Sequence, residues 1–132
     1  MSVGGVLDNI CNSACLTCNE DLSTLIGGLK SKTYPIVDNS NKFWELPLDR
    51  IVHLDINGGE PTMVEKHFVY LEKLIERGLH KQINLWYNIN LSQLPPKLIE
   101  LWKQFKSVNI SVSIDDLRER NSYIRNGSDW DT

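Results

Sequence analysis

The stretch RIVHLDINGGEPTMVEKHFVYLEKLIERG, residues 50–78, changes its period in the middle. Over 50–56 apolar and polar residues alternate, the pattern of a strand with one buried face. Val52, Leu54 and Ile56 share one side; His53, Asp55 and Asn57 share the other. After the turn-forming NGGEPT, Val64, Phe68, Leu71 and Ile75 recur at helical spacing. Thr62 and Glu65 read as a T-x-x-E capping box, and Gly78 after Arg77 as the helix stop. A strand, a tight loop and an amphipathic helix make one βα unit.

The unit repeats along the chain. VGGVL, residues 3–7, reads as a first strand, and DLSTLIGGL as a short helix with Asp21 as its cap. Residues 30–46 read as irregular. QINLWYNIN, 82–90, reads as a third strand; Pro95 and Pro96 then open a helix whose apolar face is Leu98, Leu101, Trp102 and Phe105. SVNISVSID, 107–115, reads as a fourth strand, and DLRERNSYIRNG as a last helix ended by Gly127. Alternating strands and helices predict an α/β fold with parallel strands.

The strand faces sharpen this. Ile83, Leu85, Tyr87 and Ile89 oppose Asn84, Trp86, Asn88 and Asn90; Val108, Ile110, Val112 and Ile114 oppose Asn109, Ser111, Ser113 and Asp115. A doubly wound sheet is covered on both faces and reads as continuous apolar runs. One apolar and one polar face fit a curved sheet with helices outside and a solvated cavity within. The expectation is a partial (βα) barrel, one domain over residues 1–132.

Hydrophobic residues make up 41%, charged residues 23%, and the net charge is −3, so no basic surface for nucleic acid is indicated. No apolar run reaches the length of a membrane span, and MSVGGVLDNI lacks the basic start and apolar core of a secretory signal. The expected compartment is the reducing cytoplasm, where thiols stay free or bind metal. All three cysteines, Cys11, Cys15 and Cys18, lie within CNSACLTC, and their odd number argues against a disulfide framework. Thiolates select zinc, copper(I) or iron–sulfur clusters. A closed zinc site takes four ligands, so three cysteines alone leave one metal position open.

The cysteine loop follows the first strand, NGGEP the second, NIN ends the third and SID ends the fourth. All fall at C-terminal strand ends, the rim where barrel-type α/β folds assemble chemistry. Here the residues carry a resemblance. C-x3-C-x2-C with its flanking Asn12 and Asn19, LDINGGEPTM, SVSID and ERNSYIRNGSDWD together resemble the radical S-adenosylmethionine (SAM) superfamily, in its twitch or SPASM-like peptide-modifying branch. The resemblance spans about residues 6 to 130.

It implies the N-terminal portion of a radical SAM (β/α)6 core. Cys11, Cys15 and Cys18 would hold three irons of a [4Fe–4S] cluster, and SAM would chelate the fourth. Gly58, Gly59, Glu60 and Pro61 would offer backbone atoms to the SAM amino group, with glycine leaving room for close approach. Asn90, Ser113 and Asp115 would lie near the ribose or carboxylate. The implied activity is reductive cleavage of SAM to a 5′-deoxyadenosyl radical that abstracts hydrogen from a substrate, with a peptide or protein the expected class. A reduced flavodoxin or ferredoxin-type donor would supply the electron.

Two features depart from the family pattern. Ile89 and Leu91 flank Asn90, where many relatives have threonine and glycine. The chain also stops in its fourth βα unit, so the expectation is a piece of a longer protein or a partner chain that completes the barrel. Other readings of the cysteines stand beside this one. They could form a zinc site with His53, His67 or His80 as fourth ligand, or a Cys15–Cys18 redox pair. The corresponding alternative function is a non-catalytic metal-binding module. His67 and His80 otherwise read as solvated helix and loop positions, and the four tryptophans as packing residues.

Overall fold

The computed structural model describes residues 1–31 and 35–130. In chain order the elements are β1 (Ser2–Val6), β2 (Ala14–Cys15), α1 (Thr24–Lys30), α2 (Ser40–Trp44), β3 (His53–Asn57), α3 (Glu65–Glu76), β4 (Asn84–Ile89), α4 (Pro96–Trp102), β5 (Ser107–Val112), α5 (Arg118–Ile124) and β6 (Arg125–Asn126). Residues 32–34 of the stretch read as irregular, and 131–132 at the end of the domain, lie outside the described residues. Within the same stretch Ser40–Trp44 form a helix, and its Phe43 is drawn into the core.

The fold is α/β. Strands β1, β3, β4 and β5 form a parallel sheet in that spatial order, with Val6 beside Asn57, Ile56 beside Tyr87 and Ile89 beside Val112. Within this sheet the strands follow one another in space as they do in sequence, each joined to the next by chain that includes a helix. Leu54 and Ile56 of β3 and Leu85, Tyr87 and Ile89 of β4 point into one core. Phe43 of α2, Tyr70, Leu71 and Leu74 of α3, and Leu98, Leu101 and Trp102 of α4 close it from the helix side. Asp55, Asn57, Trp86 and Asn88, on the other face of β3 and β4, are half-buried or exposed.

The departures from the sequence expectation come from contacts and exposures that the local pattern does not show. Ser23, not Asp21, caps α1: its hydroxyl accepts from Ile26 N at 3.3 Å and donates to the Ser13 carbonyl at 2.8 Å. The capping box does not form, because the Thr62 hydroxyl donates to Glu60 Oε1 at 2.6 Å; Pro61–Met63 become a 3-10 turn and α3 starts at Glu65. The buried stripe of α3 is His67, Tyr70, Leu71 and Leu74, rotated from the expected one. Val52 precedes β3 and is exposed; Ile110, Val112 and Ile114 are exposed too. β5 is an edge of the sheet, and α5 leads away from it into β6, which pairs antiparallel with β2. No helix among the described residues is long and apolar enough to cross a membrane.

Candidate functional site

Because the sheet is parallel, the loops after β1, β3, β4 and β5 leave from one edge. The ladder between the first two continues past the strands: Gly59 N donates to Asp8 O at 3.0 Å and Glu60 N to Ile10 O at 2.7 Å. This contact is what demands glycine. A Cβ on Gly59 would stand 2.0 Å from the Ile10 oxygen, and one on Gly58, whose φ is +157°, 2.6 Å from the Asp8 oxygen. The close approach here is of the chain to its own cysteine loop, a different reason for the glycines from room for a ligand.

Beyond that contact, buried and half-buried polar side chains tie the loops together. Glu60 is 1% exposed. Its Oε2 accepts from Asn90 N at 2.6 Å, while Oε1 takes Thr62 N and the Thr62 hydroxyl. Asn90 Nδ2 donates to Asn12 Oδ1 at 2.9 Å and to Ser13 Oγ at 3.1 Å. Asn12 Nδ2 donates to Ser92 Oγ at 2.8 Å, and Ser92 N to Asn90 Oδ1 at 2.9 Å. The cysteine loop is therefore fastened to the ends of β3 and β4 at several points. Satisfied buried networks of this kind fix one geometry, and each lost partner leaves another group unpaired.

Leu91 is the strained member. Its φ of 58° is left-handed and brings Ser92 back to the Asn90 side chain. For a residue with a Cβ that conformation costs about 1–2 kcal/mol. Leu91 is largely exposed, so little packing offsets the cost. Leu91→Gly should stabilise the fold by roughly 0.5–1 kcal/mol, the strain relief less the added unfolded-state freedom. Urea denaturation checks this, and a lower midpoint for the variant would refute it.

Cys11, Cys15 and Cys18 are free thiols, all partly buried. They line a cavity of about 150 Å³ with Gly58, Gly59, Glu60, Asn90 and Ser113. Eight of the ten residues singled out from the sequence thus meet in one place. The other two do not line it. Pro61 is buried with its carbonyl bonded to His67 Nδ1, and Asp115 pairs with Arg125, Oδ2 to Nε at 2.8 Å. Compared with known proteins, the chain matches no family model, no curated protein and no solved structure.

As the side chains stand, the described residues hold no group of three or more His, Cys, Asp or Glu arranged to bind a metal ion. The donor chemistry nevertheless suits an iron–sulfur cluster: three soft ligands open onto one cavity. Burial pushes the Cys11 and Cys15 thiols up, partly opposed at Cys11 by the Ser13 amide and at Cys15 by Arg125. A redox-active Cys-x-x-Cys works through a depressed thiol pKa, so the raised Cys15 disfavours that reading.

The histidines do not supply a fourth ligand. None lines the cavity. His53 opens β3, at the opposite end from the cysteine loop, and His80 lies in the α3–β4 connection. His67, read from sequence as solvated, is fully buried. Its Nδ1 donates to the Pro61 carbonyl at 2.9 Å, which makes Nε2 the acceptor of the Tyr87 hydroxyl at 2.7 Å. Of the tryptophans, Trp102 is buried and Trp44 packs on Tyr70 at 4.7 Å, while Trp86 is 47% exposed. Sequence reasoning passed over Ser13, Ser23 and Arg125, and weighed His67 only as a zinc ligand or a solvated position; Ser13 meets Asn90, His67 meets Tyr87 and Arg125 meets Cys15 across the fold.

Proposed function

We propose that this chain is the core of a radical SAM enzyme, built on a partial (βα) barrel. Cys11, Cys15 and Cys18 hold a [4Fe–4S] cluster, and SAM lies against Gly58, Gly59, Glu60, Asn90 and Ser113. The observation that carries the reading is the shared cavity: the three thiols and those five residues line it together, at the C-terminal edge of the parallel sheet. The sequential strand order, with helices packed on one face, supports the barrel.

When bound, the cluster and SAM supply reductive cleavage of the sulfonium and a 5′-deoxyadenosyl radical for hydrogen abstraction. The chain's own residues bind and orient. Gly59 and Glu60 have their amide protons engaged by the cysteine loop, so carbonyl oxygens are what this turn would offer the N–H groups of the SAM amino nitrogen. Asn90 holds Asn12 and Ser13 inside the Cys11–Cys15 span and so fixes the loop that presents the thiols. The half-open polar face of β3 and β4 is the side from which a substrate, a peptide in this reading, would approach. A flavodoxin or ferredoxin-type protein supplies the electron.

The test is chemical. Anaerobically reconstituted protein, given dithionite and SAM, should release methionine and 5′-deoxyadenosine, detected by liquid chromatography. Serine at Cys11, Cys15 or Cys18 should lower the yield at least 100-fold. Cleavage that survives all three substitutions, or none in a cluster-loaded wild type, would defeat the proposal.

A further inference from the structure

The short antiparallel ladder between β2 and β6 brings the end of the described chain onto the cysteine loop. Cys15 pairs in register with Arg125, and Leu16 N donates to Ile124 O at 2.8 Å. Gly127, with φ of +102°, lies so close to the loop that a Cβ there would meet the Asn12 oxygen at 2.3 Å. This fit fixes the backbone on which the Arg125 side chain stands. That side chain is 17% exposed and bridges two groups: Nη1 lies 3.8 Å from Cys15 Sγ and Nε 2.8 Å from Asp115 Oδ2. Asp115 is itself oriented, its N–H donating to Oδ1 of buried Asn121 at 3.0 Å.

We infer that Arg125 is a positioning residue for the Cys15 ligand, and that its charge, opposed by Asp115, sets the reduction potential of the cluster held there. The inference rests on the cluster reading given above. A guanidinium keeps its charge at any relevant pH and donates in a fixed plane. Hydrogen bonds to ligand sulfur and the net charge nearby are what move iron–sulfur potentials. One added electron makes the cluster more negative, so a cation beside a ligating sulfur favours the reduced state. The half-buried position limits solvent screening. Asp115 offsets part of the cation's field, and the two residues therefore act with opposite signs.

The experiment is electron paramagnetic resonance-monitored potentiometry of the anaerobically reconstituted full chain without SAM, with dithionite supplying one electron per cluster. Arg125→Gln should shift the potential to more negative values, Asp115→Asn to more positive values, and Arg125→Lys should stay closer to the wild type than Arg125→Gln. If Arg125→Gln loads no cluster, the positive shift of Asp115→Asn and the near-normal potential of Arg125→Lys decide the matter. Potentials unchanged in the variants that load, at unchanged iron content, would make Arg125 a mere clasp and overturn the inference, leaving the cluster reading intact. A wild type that assembles no iron–sulfur cluster would overturn that reading and the inference with it.

Discussion

Gly59→Ala is expected to dislodge the cysteine loop and to destabilise the fold by about 3 kcal/mol, the upper part of the range for forcing atoms into packed space. The new Cβ would stand 2.0 Å from Ile10 O, 2.3 Å from Ile10 C and 2.7 Å from Asn9 C. All three are backbone atoms and no rotamer change moves them aside. Relief requires parting the loops, which breaks the bonds from Gly59 N to Asp8 O and from Glu60 N to Ile10 O. The variant should therefore lose both stability and cluster binding. Gly28→Ala is the control: its added carbon meets nothing within 4 Å, and alanine in α1 is neutral or stabilising by up to about 1 kcal/mol. Urea midpoints for the two variants are the measurement. A Gly59→Ala protein as stable as the wild type would mean that these loops do not touch as described.

A second large effect is set by pH. Burial lowers the pKa of His67 from 6.5 to about 4. Between those values the unfolded chain takes up a proton that the folded chain refuses. Stability supplied by the neutral, bonded imidazole is complete above pH 6.5 and is lost as pH falls toward 4. The loss should reach about 3 kcal/mol at pH 4. Asp38, held down to about 2 from 3.8 by its bond with Lys66, acts in the same direction but only below pH 3.8. His67→Gln cannot titrate. It should be less stable than the wild type at pH 7, since the Tyr87 hydroxyl and Pro61 carbonyl lose well-placed partners. Its stability should then change far less between pH 7 and pH 4.5. Parallel pH profiles for the two proteins would show that His67 is not the group responsible.

The same residue marks where the sequence was legible and where it was not. Alternation in β3 and β4 is easily read because helices cover one face and leave the other open: Leu54, Ile56, Leu85, Tyr87 and Ile89 are all core. The same alternation in β5 promises a buried face, but Ile110 and Val112 stand exposed on the edge strand. Period reports which side is apolar, not what covers it. On α3 the helix itself was clear, while its inward stripe was misjudged because a histidine counts as polar until its buried partners are known. Caps failed for a related reason. Thr62 looks like a cap by local spacing, yet the Glu60 carboxylate competes for its hydroxyl and wins.

The candidate site followed the same division. The cysteine spacing and the glycine pair are local, and the parallel sheet brings them to one cavity with Asn90 and Ser113. Asp115 does not line that cavity and pairs with Arg125, a contact made visible only when β6 folds back on β2.

The central claim is that Cys11, Cys15 and Cys18 together hold an iron–sulfur cluster. Its most direct test is the iron and acid-labile sulfide content, with the visible spectrum, of the anaerobically reconstituted chain and of each cysteine-to-alanine variant. The account predicts a brown wild type with about four irons and four sulfides per chain, the composition of a [4Fe–4S] cluster, and near-complete loss in every variant. A colourless protein binding zinc instead, or any single variant retaining the full iron complement, would contradict it.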